Sequence, residues 1–329
     1  MAKKRIGIVG YGNLGRGVEL SIAQNNDMEL IGIFTRRDPQ EITTVTSDAN
    51  VYSIKDIFTY KDRIDVLILC GGSATDLVNQ GPEYAESFNT VDSFDNHAKI
   101  PDYFAEVDEA AKKSGHLSLI SAGWDPGLFS INRLFAESVL PTGKTYTFWG
   151  NGLSQGHSDA IRRINGVTHA AQYTIPIQNM IDSVRNCENP VCTACDMHNR
   201  ECFVVAAANA DKEYIRNEIV NMPNYFCDYK TAVNFISEEE FFAKHQGNAH
   251  GGFVIRSGNT GLESETKQVY EFSLNLNSNP EFTASVLVAY ARAICRMASN
   301  GETGARSVFE IAPALLSPYS IEDLRKRIL

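Results

Sequence analysis

Short apolar runs separated by glycine-rich turns and helix-spaced segments fill the first third of the chain, and this alternation sets the expected architecture. Ile6–Val9 is a four-residue apolar run of strand type, and Leu14–Gln24 behind it carries helical spacing. Leu30–Phe34, Asp65–Leu69, Thr90–Asp92 and Leu117–Ser121 are further strand-length runs. The DVLIL stretch among them is nearly all apolar, as a strand buried on both faces requires. Pro101 suits the first turn of a helix whose Phe104, Val107, Ala110 and Ala111 share one face. Strands alternating with helices in this way predict a doubly wound parallel sheet of Rossmann type. Ligands of such sheets sit beyond the carboxyl ends of the strands.

From about Gly127 the pattern changes. Thr145–Trp149, Thr168–Ile177, Cys202–Ala208, Thr231–Ile236, Gly252–Ser257 and Val269–Leu276 read as strands without regular helical crossovers. Residues 127–280 therefore predict a second α+β domain with a mainly antiparallel sheet, of the kind that binds substrate and forms dimers. Ala284–Ala298 is an apolar helix pattern, with Val286, Leu287, Ala291, Ile294 and Met297 inward. It and the amphipathic tail Ile321–Leu329 are expected to return to the first domain, giving that domain residues 1–126 and 281–329.

The first turn reads Gly10-Tyr11-Gly12-Asn13-Leu14-Gly15. Strand, tight glycine turn and helix start are the context in which G-x-G-x-x-G predicts dinucleotide binding. The helix N-terminus offers unpaired N–H groups and partial positive charge to a pyrophosphate. The second strand then ends in Thr35-Arg36-Arg37 rather than in the carboxylate that binds a free ribose 2′-hydroxyl. Two guanidiniums and a hydroxyl suit a 2′-phosphate, so the expected cofactor is NADP. Cys70-Gly71-Gly72-Ser73, Ser93-Phe94-Asp95 and Ala122-Gly123-Trp124-Asp125-Pro126-Gly127 follow the later strands and share the same rim.

Composition narrows the partners. The formal charge of −10 argues against nucleic acid or an anionic membrane surface. No apolar run approaches the ~20 residues that span a bilayer. MAKKRIGIVG passes straight into the first strand and leaves no room for a signal peptide, so a cytoplasmic protein is expected. Seven mostly scattered cysteines suit free thiols in a reducing compartment. Cys187, Cys192, Cys195, His198 and Cys202 raise the question of zinc. The second half of a finger is missing and Cys202 opens an apparent strand, so residues 180–199 are read as a loop with free thiols and no metal.

A hydride-accepting cofactor needs a substrate carbon bearing hydrogen beside a group that can become C=O or C=N. The candidate lining is Asp95, Trp124, Asp125, Trp149, residues 150–159, Thr174, Arg200 and His250. Carboxylates for ammonium groups, with Arg, Thr and His for carboxylates, fit an amino acid that is zwitterionic at both ends.

GYGNLGRG at 10–17, FTRR at 34–37, CGGSATD at 70–76, FDNH at 94–97, AGWDPGLFSINR at 122–133, FWGNGLSQGHSDA at 148–160, QYT at 172–174, RECFVV at 200–205, AHGG at 249–252 and NPEFTAS at 279–285 together resemble the meso-diaminopimelate dehydrogenase family. The resemblance implies NADP-dependent oxidative deamination at the D-centre of meso-2,6-diaminopimelate, the reverse reductive amination, and a homodimer formed through the second domain. It places cofactor contacts on Tyr11–Leu14, Thr35–Arg37, Cys70–Ser73, Ser93–Asp95 and Ala122–Pro126. Substrate contacts fall on Asp95, Asp125, Trp149, Gln155, Gly156, Thr174, Arg200, His250 and Asn279, with Asp95 and Asp125 catalytic. A semialdehyde dehydrogenase would need an activated thiolate, for which Asn186-Cys187 is the one tempting pair. The Glu-Lys-Pro string of sugar-oxidising enzymes does not occur. A relaxed D-amino acid dehydrogenase and a non-catalytic NADP sensor remain as rivals.

Overall fold

The computed structural model describes every residue except Met1, Ser47, Asp48, Gln246 and Asn248. The chain divides into two compact units, residues 1–131 with 280–329, and residues 132–279.

The first unit is built on a parallel sheet. Its strands β1 (Lys4–Val9), β2 (Met28–Thr35), β3 (Val51–Ser53), β4 (Val66–Leu69), β5 (Thr90–Asp92) and β6 (Leu117–Leu119) are joined by a seventh, Gly304–Arg306. The spatial order runs Gly304–Arg306, β6, β5, β4, β1, β2, β3, so the chain turns outward from β1 in both directions. Helices cover both faces, which is why the strands read as apolar runs. Ile6, Ile8, Val66 and Ile68 face one core with the helix Asn279–Ser299. Val9, Leu67 and Leu69 face the other with Tyr84, Phe88 and Val107.

Three expectations need correction here. On the helix Ile100–Ser114 the buried aromatic is Tyr103, and Phe104 is only partly buried. The tail helix Ile321–Ile328 does group with the first unit, but it buries no residue, because charged side chains such as the Glu322–Lys326 pair occupy most of its surface. The strands Val51–Ser53 and Gly304–Arg306 were missed, since three-residue edge strands leave no apolar run to detect. By contrast, Asn279–Ser299 does join the first core, and its buried Arg292 holds Asp27 at 2.8 Å. The Arg292 hydrogen bond outweighs the burial of Asp27 and lowers its pKa to about 2.

The second unit contains β7 (Gly143–Trp149), β8 (Gly152–Leu153), β9 (Val167–Pro176), β10 (His198–Ala206), β11 (Lys230–Phe235), β12 (His250–Thr260) and β13 (Thr266–Leu276). They form two sheets rather than one, β13-β12-β7 and β11-β10-β9-β8. All pairs are antiparallel except β10 with β11, whose connection contains the helix Lys212–Val220. A parallel neighbour requires such a crossover, so this part of the unit departs from the expected absence of helical connections.

Candidate functional site

The glycine turn, Thr35–Arg37 and Cys70–Gly72 close around a cavity of about 310 Å³ at the carboxyl ends of β1, β2 and β4. Gly10 has φ +88, and a Cβ on Gly15 would lie 2.3 Å from the Gly10 carbonyl oxygen, so neither position accepts a side chain without strain. The helix Asn13–Ala23 starts at Gly12 with no side-chain cap, which leaves its first N–H groups for an anionic ligand. These features fit a dinucleotide.

The basic turn is organised by contacts that the sequence did not disclose. Arg36 is mostly exposed and pairs with Asp76 at 2.8 Å. Asp76 also accepts the Gly72 N–H at 3.0 Å, which ties the two loops together. Arg37 donates to the Tyr11 carbonyl, and its own N–H meets Thr35 Oγ1 at 3.1 Å. Tyr11 in turn donates to the buried carboxylate of Glu19, which also takes the Thr46 N–H at 2.6 Å. Burial raises the Glu19 pKa, and the hydrogen bonds from Thr46 and Tyr11 outweigh it and bring the net shift below the ordinary value. Asp76 lies in a quoted motif but carried no assigned role; nothing in the sequence singled out Glu19.

Ser73 and Asp95 come together, with the Asp95 N–H donating to Ser73 Oγ at 3.1 Å. Asp95 is exposed and Ser93 half-buried, whereas Phe94 is fully buried and stacks on Tyr103 at 4.1 Å. Ala122 and Gly123 are buried, and Trp124 packs edge-on against Phe129 at 5.2 Å. Asp125 is extended at φ −157, Pro126 follows through a cis peptide, and Gly127 takes φ +127. Burial pushes the Cys70 thiol well up, so it is no thiolate nucleophile.

In the second unit, β9 and β10 place Thr174 directly opposite Arg200, and Gly152 of β8 opposite Thr174. Arg200 is 7% exposed, donates to Thr174 Oγ1 and lies 4.1 Å over the Tyr229 ring. Its Nε is buried without a hydrogen-bond partner, and among the described residues no carboxylate pairs with the guanidinium. Burial lowers its pKa from the ordinary arginine value. A buried cation with an open donor is costly unless an anion completes it.

The surrounding residues are ordered by close contacts. A Cβ at Gly152 would fall 2.6 Å from the His250 ring, so that glycine makes room for the histidine. His250 Nδ1 lies 2.8 Å from the Gly251 N and 3.2 Å from the Gly251 carbonyl oxygen, so its own following residue holds the ring. His198 Nε2 accepts the Trp149 N–H at 2.9 Å and the two rings stack at 5.4 Å. His157 is hydrogen-bonded to Ser154 at 2.7 Å, while Gln155 and Gly156 stand exposed at the start of the helix Gln155–Arg162. Asp159 pairs with Arg162, and Asn279 opens the helix Asn279–Ser299. His198 and Tyr229 were missed; His198 was set aside with the cysteines, although its place two residues before Arg200 on a strand puts both on one face.

Burial, then the charge of Arg200, lowers the pKa of His157 and His198 from 6.5 to about 4. Both rings stay neutral in the fold where an unfolded chain would take protons. Their contribution to stability is complete above pH 6.5 and is lost as pH falls from 6.5 toward 4, at about 1.4 kcal/mol per pH unit for each ring. Denaturant midpoints for the second unit should drop across this window, and a flat profile would contradict the placement of these rings.

Residues 180–199 are more ordered than expected. They include most of the helix Gln178–Arg185 and the short helix Ala194–Met197 with a Thr193 capping box. Cys187 donates to the Gln268 carbonyl at 3.7 Å, and Cys202 is buried in β10. Among the described residues, no three His, Cys, Asp or Glu side chains are grouped to hold a metal. No described helix is long and apolar enough to cross a membrane.

One unit has a Rossmann-type sheet with a glycine turn that fits a dinucleotide, and the other holds a buried arginine with an open donor, features of the class of two-unit oxidoreductases. Residues 123–278 match the family model described as the diaminopimelic acid dehydrogenase C-terminal domain. The meso-diaminopimelate D-dehydrogenase of Lysinibacillus sphaericus is 61% identical over 329 residues, covering 100% of both chains. The solved structure of C. glutamicum DAP dehydrogenase in complex with DAP is 47% identical and superposes with a TM-score of 0.93 over 100% of both chains. An engineered D-amino acid dehydrogenase bound to NADP+ is 46% identical with a TM-score of 0.88, over 100% of each chain. The chain belongs to the meso-diaminopimelate D-dehydrogenase family, oxidoreductases acting on CH–NH2 groups.

Proposed function

We propose that this chain is an NADP-dependent meso-2,6-diaminopimelate D-dehydrogenase. It oxidatively deaminates the D-centre to L-2-amino-6-oxopimelate and ammonia, runs in reverse as a reductive amination, and serves lysine and diaminopimelate biosynthesis. It acts in the cytoplasm as a homodimer formed through the second unit. Residues 1–131 with 280–329 bind the dinucleotide, and residues 132–279 grip the substrate. The observation that supports this reading most strongly is Arg200, buried beside Thr174 with no carboxylate paired to it among the described residues.

Arg200, Thr174 and His250 hold the carboxylate of the distal L-centre, with Trp149, Gln155, Gly156 and Asn279 completing the contacts. Asp95 and Asp125 hold the reacting ammonium group. Only the neutral amine has a lone pair to expel hydride from Cα, so Asp125, directly or through a water, takes the proton. NADP, when bound, supplies the hydride acceptor. Water then adds to the substrate iminium in the same acidic surroundings, and ammonia leaves. Trp124 and Trp149 limit water and fix which face of Cα is presented.

NADP reduction followed with the meso, LL and DD isomers tests this reading. Turnover is expected with meso and none with LL, which lacks a D-centre. The DD isomer, inverted at the distal centre, should lose about 10-fold or more in kcat/KM. Equal rates with meso and DD would favour a relaxed D-amino acid dehydrogenase. NADPH binding without turnover of any isomer would favour a sensor.

A further inference from the structure

Asp92 is a buried carboxylate that neither the cofactor cradle nor the substrate grip uses, and it stands where the two acidic loops begin. The ladder between β5 and β6 ends at Val91 and Leu119. Beyond it, the Asp92 carbonyl accepts the Ala122 N–H at 2.9 Å. Its carboxylate Oδ1 accepts two more backbone donors, Phe94 N at 2.9 Å and Ser121 N at 3.0 Å. Oδ2 takes the Tyr103 hydroxyl at 2.7 Å, and the Tyr103 ring stacks on Phe94. Ser121 has φ +57, a conformation a serine rarely adopts unless its surroundings impose it.

One side chain, 1% exposed, therefore grips the backbone one residue before Asp95 and four residues before Asp125. Burial raises its pKa while three donors favour the charged form, and among the described residues no cation shares it. An apolar residue here would leave the Phe94 and Ser121 N–H groups without their acceptor.

We propose that Asp92 is the positioning residue that fixes Asp95 and Asp125 relative to one another, so that both carboxylates meet the reacting amino group together. This rests on the proposed deamination. Misplacing a reacting group by about 1 Å costs on the order of 100-fold in rate, so the effect belongs in kcat. The glycine turn and the twin arginines follow β1 and β2, outside this clamp, so most of the cofactor affinity persists without it, although Ser93–Asp95 and Ala122–Pro126 are also expected cofactor contacts.

The test compares wild type with Asp92→Asn, Asp92→Ala and Tyr103→Phe, measuring kcat with meso-diaminopimelate, NADPH affinity and Tm. Asp92→Asn keeps an Oδ1 acceptor for both N–H groups and should hold kcat within about threefold, whereas Asp92→Ala should lose about 100-fold with NADPH affinity changed less than about fivefold. Tyr103→Phe should lower Tm yet hold kcat within about threefold, because the Oδ1 bonds remain. If Asp92→Ala does not fold, Asp92→Glu, with the same charge displaced by one methylene, should lower kcat by about tenfold or more. A near-wild-type kcat in Asp92→Ala or Asp92→Glu overturns the proposal. So does a loss in Tyr103→Phe that follows its Tm, or an Asp92→Asn as slow as Asp92→Ala. A wild type that turns over no isomer rejects the deamination reading itself.

Discussion

Replacing Arg36 and Arg37 together by glutamate is expected to weaken NADP binding by about 10²–10⁴-fold and NAD binding by less than about tenfold. Each charge-assisted hydrogen bond to a phosphate contributes about 1.5–3 kcal/mol, and two carboxylates in their place repel the same group. The structure adds a detail to this expectation. Arg36 is already held by Asp76, so Arg36→Glu sets two carboxylates against each other, and Arg37 also supports the Tyr11 carbonyl in the glycine turn. Arg36→Glu alone should therefore discriminate the cofactors more cleanly than Arg37→Glu alone. Fluorescence titration with NADPH and NADH measures both affinities. Equal losses for the two cofactors would remove the twin arginines from 2′-phosphate recognition.

Arg200→Met should cost about 10²–10³-fold in kcat/KM for meso-diaminopimelate, because the distal carboxylate loses a buried, charge-assisted partner. NADPH affinity should stay unchanged. The same substitution should leave the second unit as stable as before or more so, since it replaces an uncompensated buried charge by an apolar chain of similar reach. Activity and stability therefore move in opposite directions, as expected of a side chain kept for its ligand. Steady-state kinetics and thermal unfolding of one preparation test both halves. A large loss of stability together with activity would mean that Arg200 is a structural residue.

The sequence by itself determined the doubly wound sheet, the place of the glycine turn and the candidate lining. These follow from local signals: continuous apolar runs for strands buried on both faces, glycines where φ is positive or backbones meet, and polar residues just beyond strand ends. The family strings carried the assignment of roles, which composition alone could not have supplied. Tertiary structure decided what depends on long-range pairing. It split the second unit into two sheets, added the edge strands Val51–Ser53 and Gly304–Arg306, and left the tail helix without a buried face. It also supplied the supports: Asp76 beneath Arg36, Glu19 beneath Tyr11, His198 beneath Trp149 and Asp92 beneath two loops. Such residues escape a reading along the chain because most of their partners lie between 8 and 49 positions away and their chemistry consists in satisfying a neighbour's hydrogen bond.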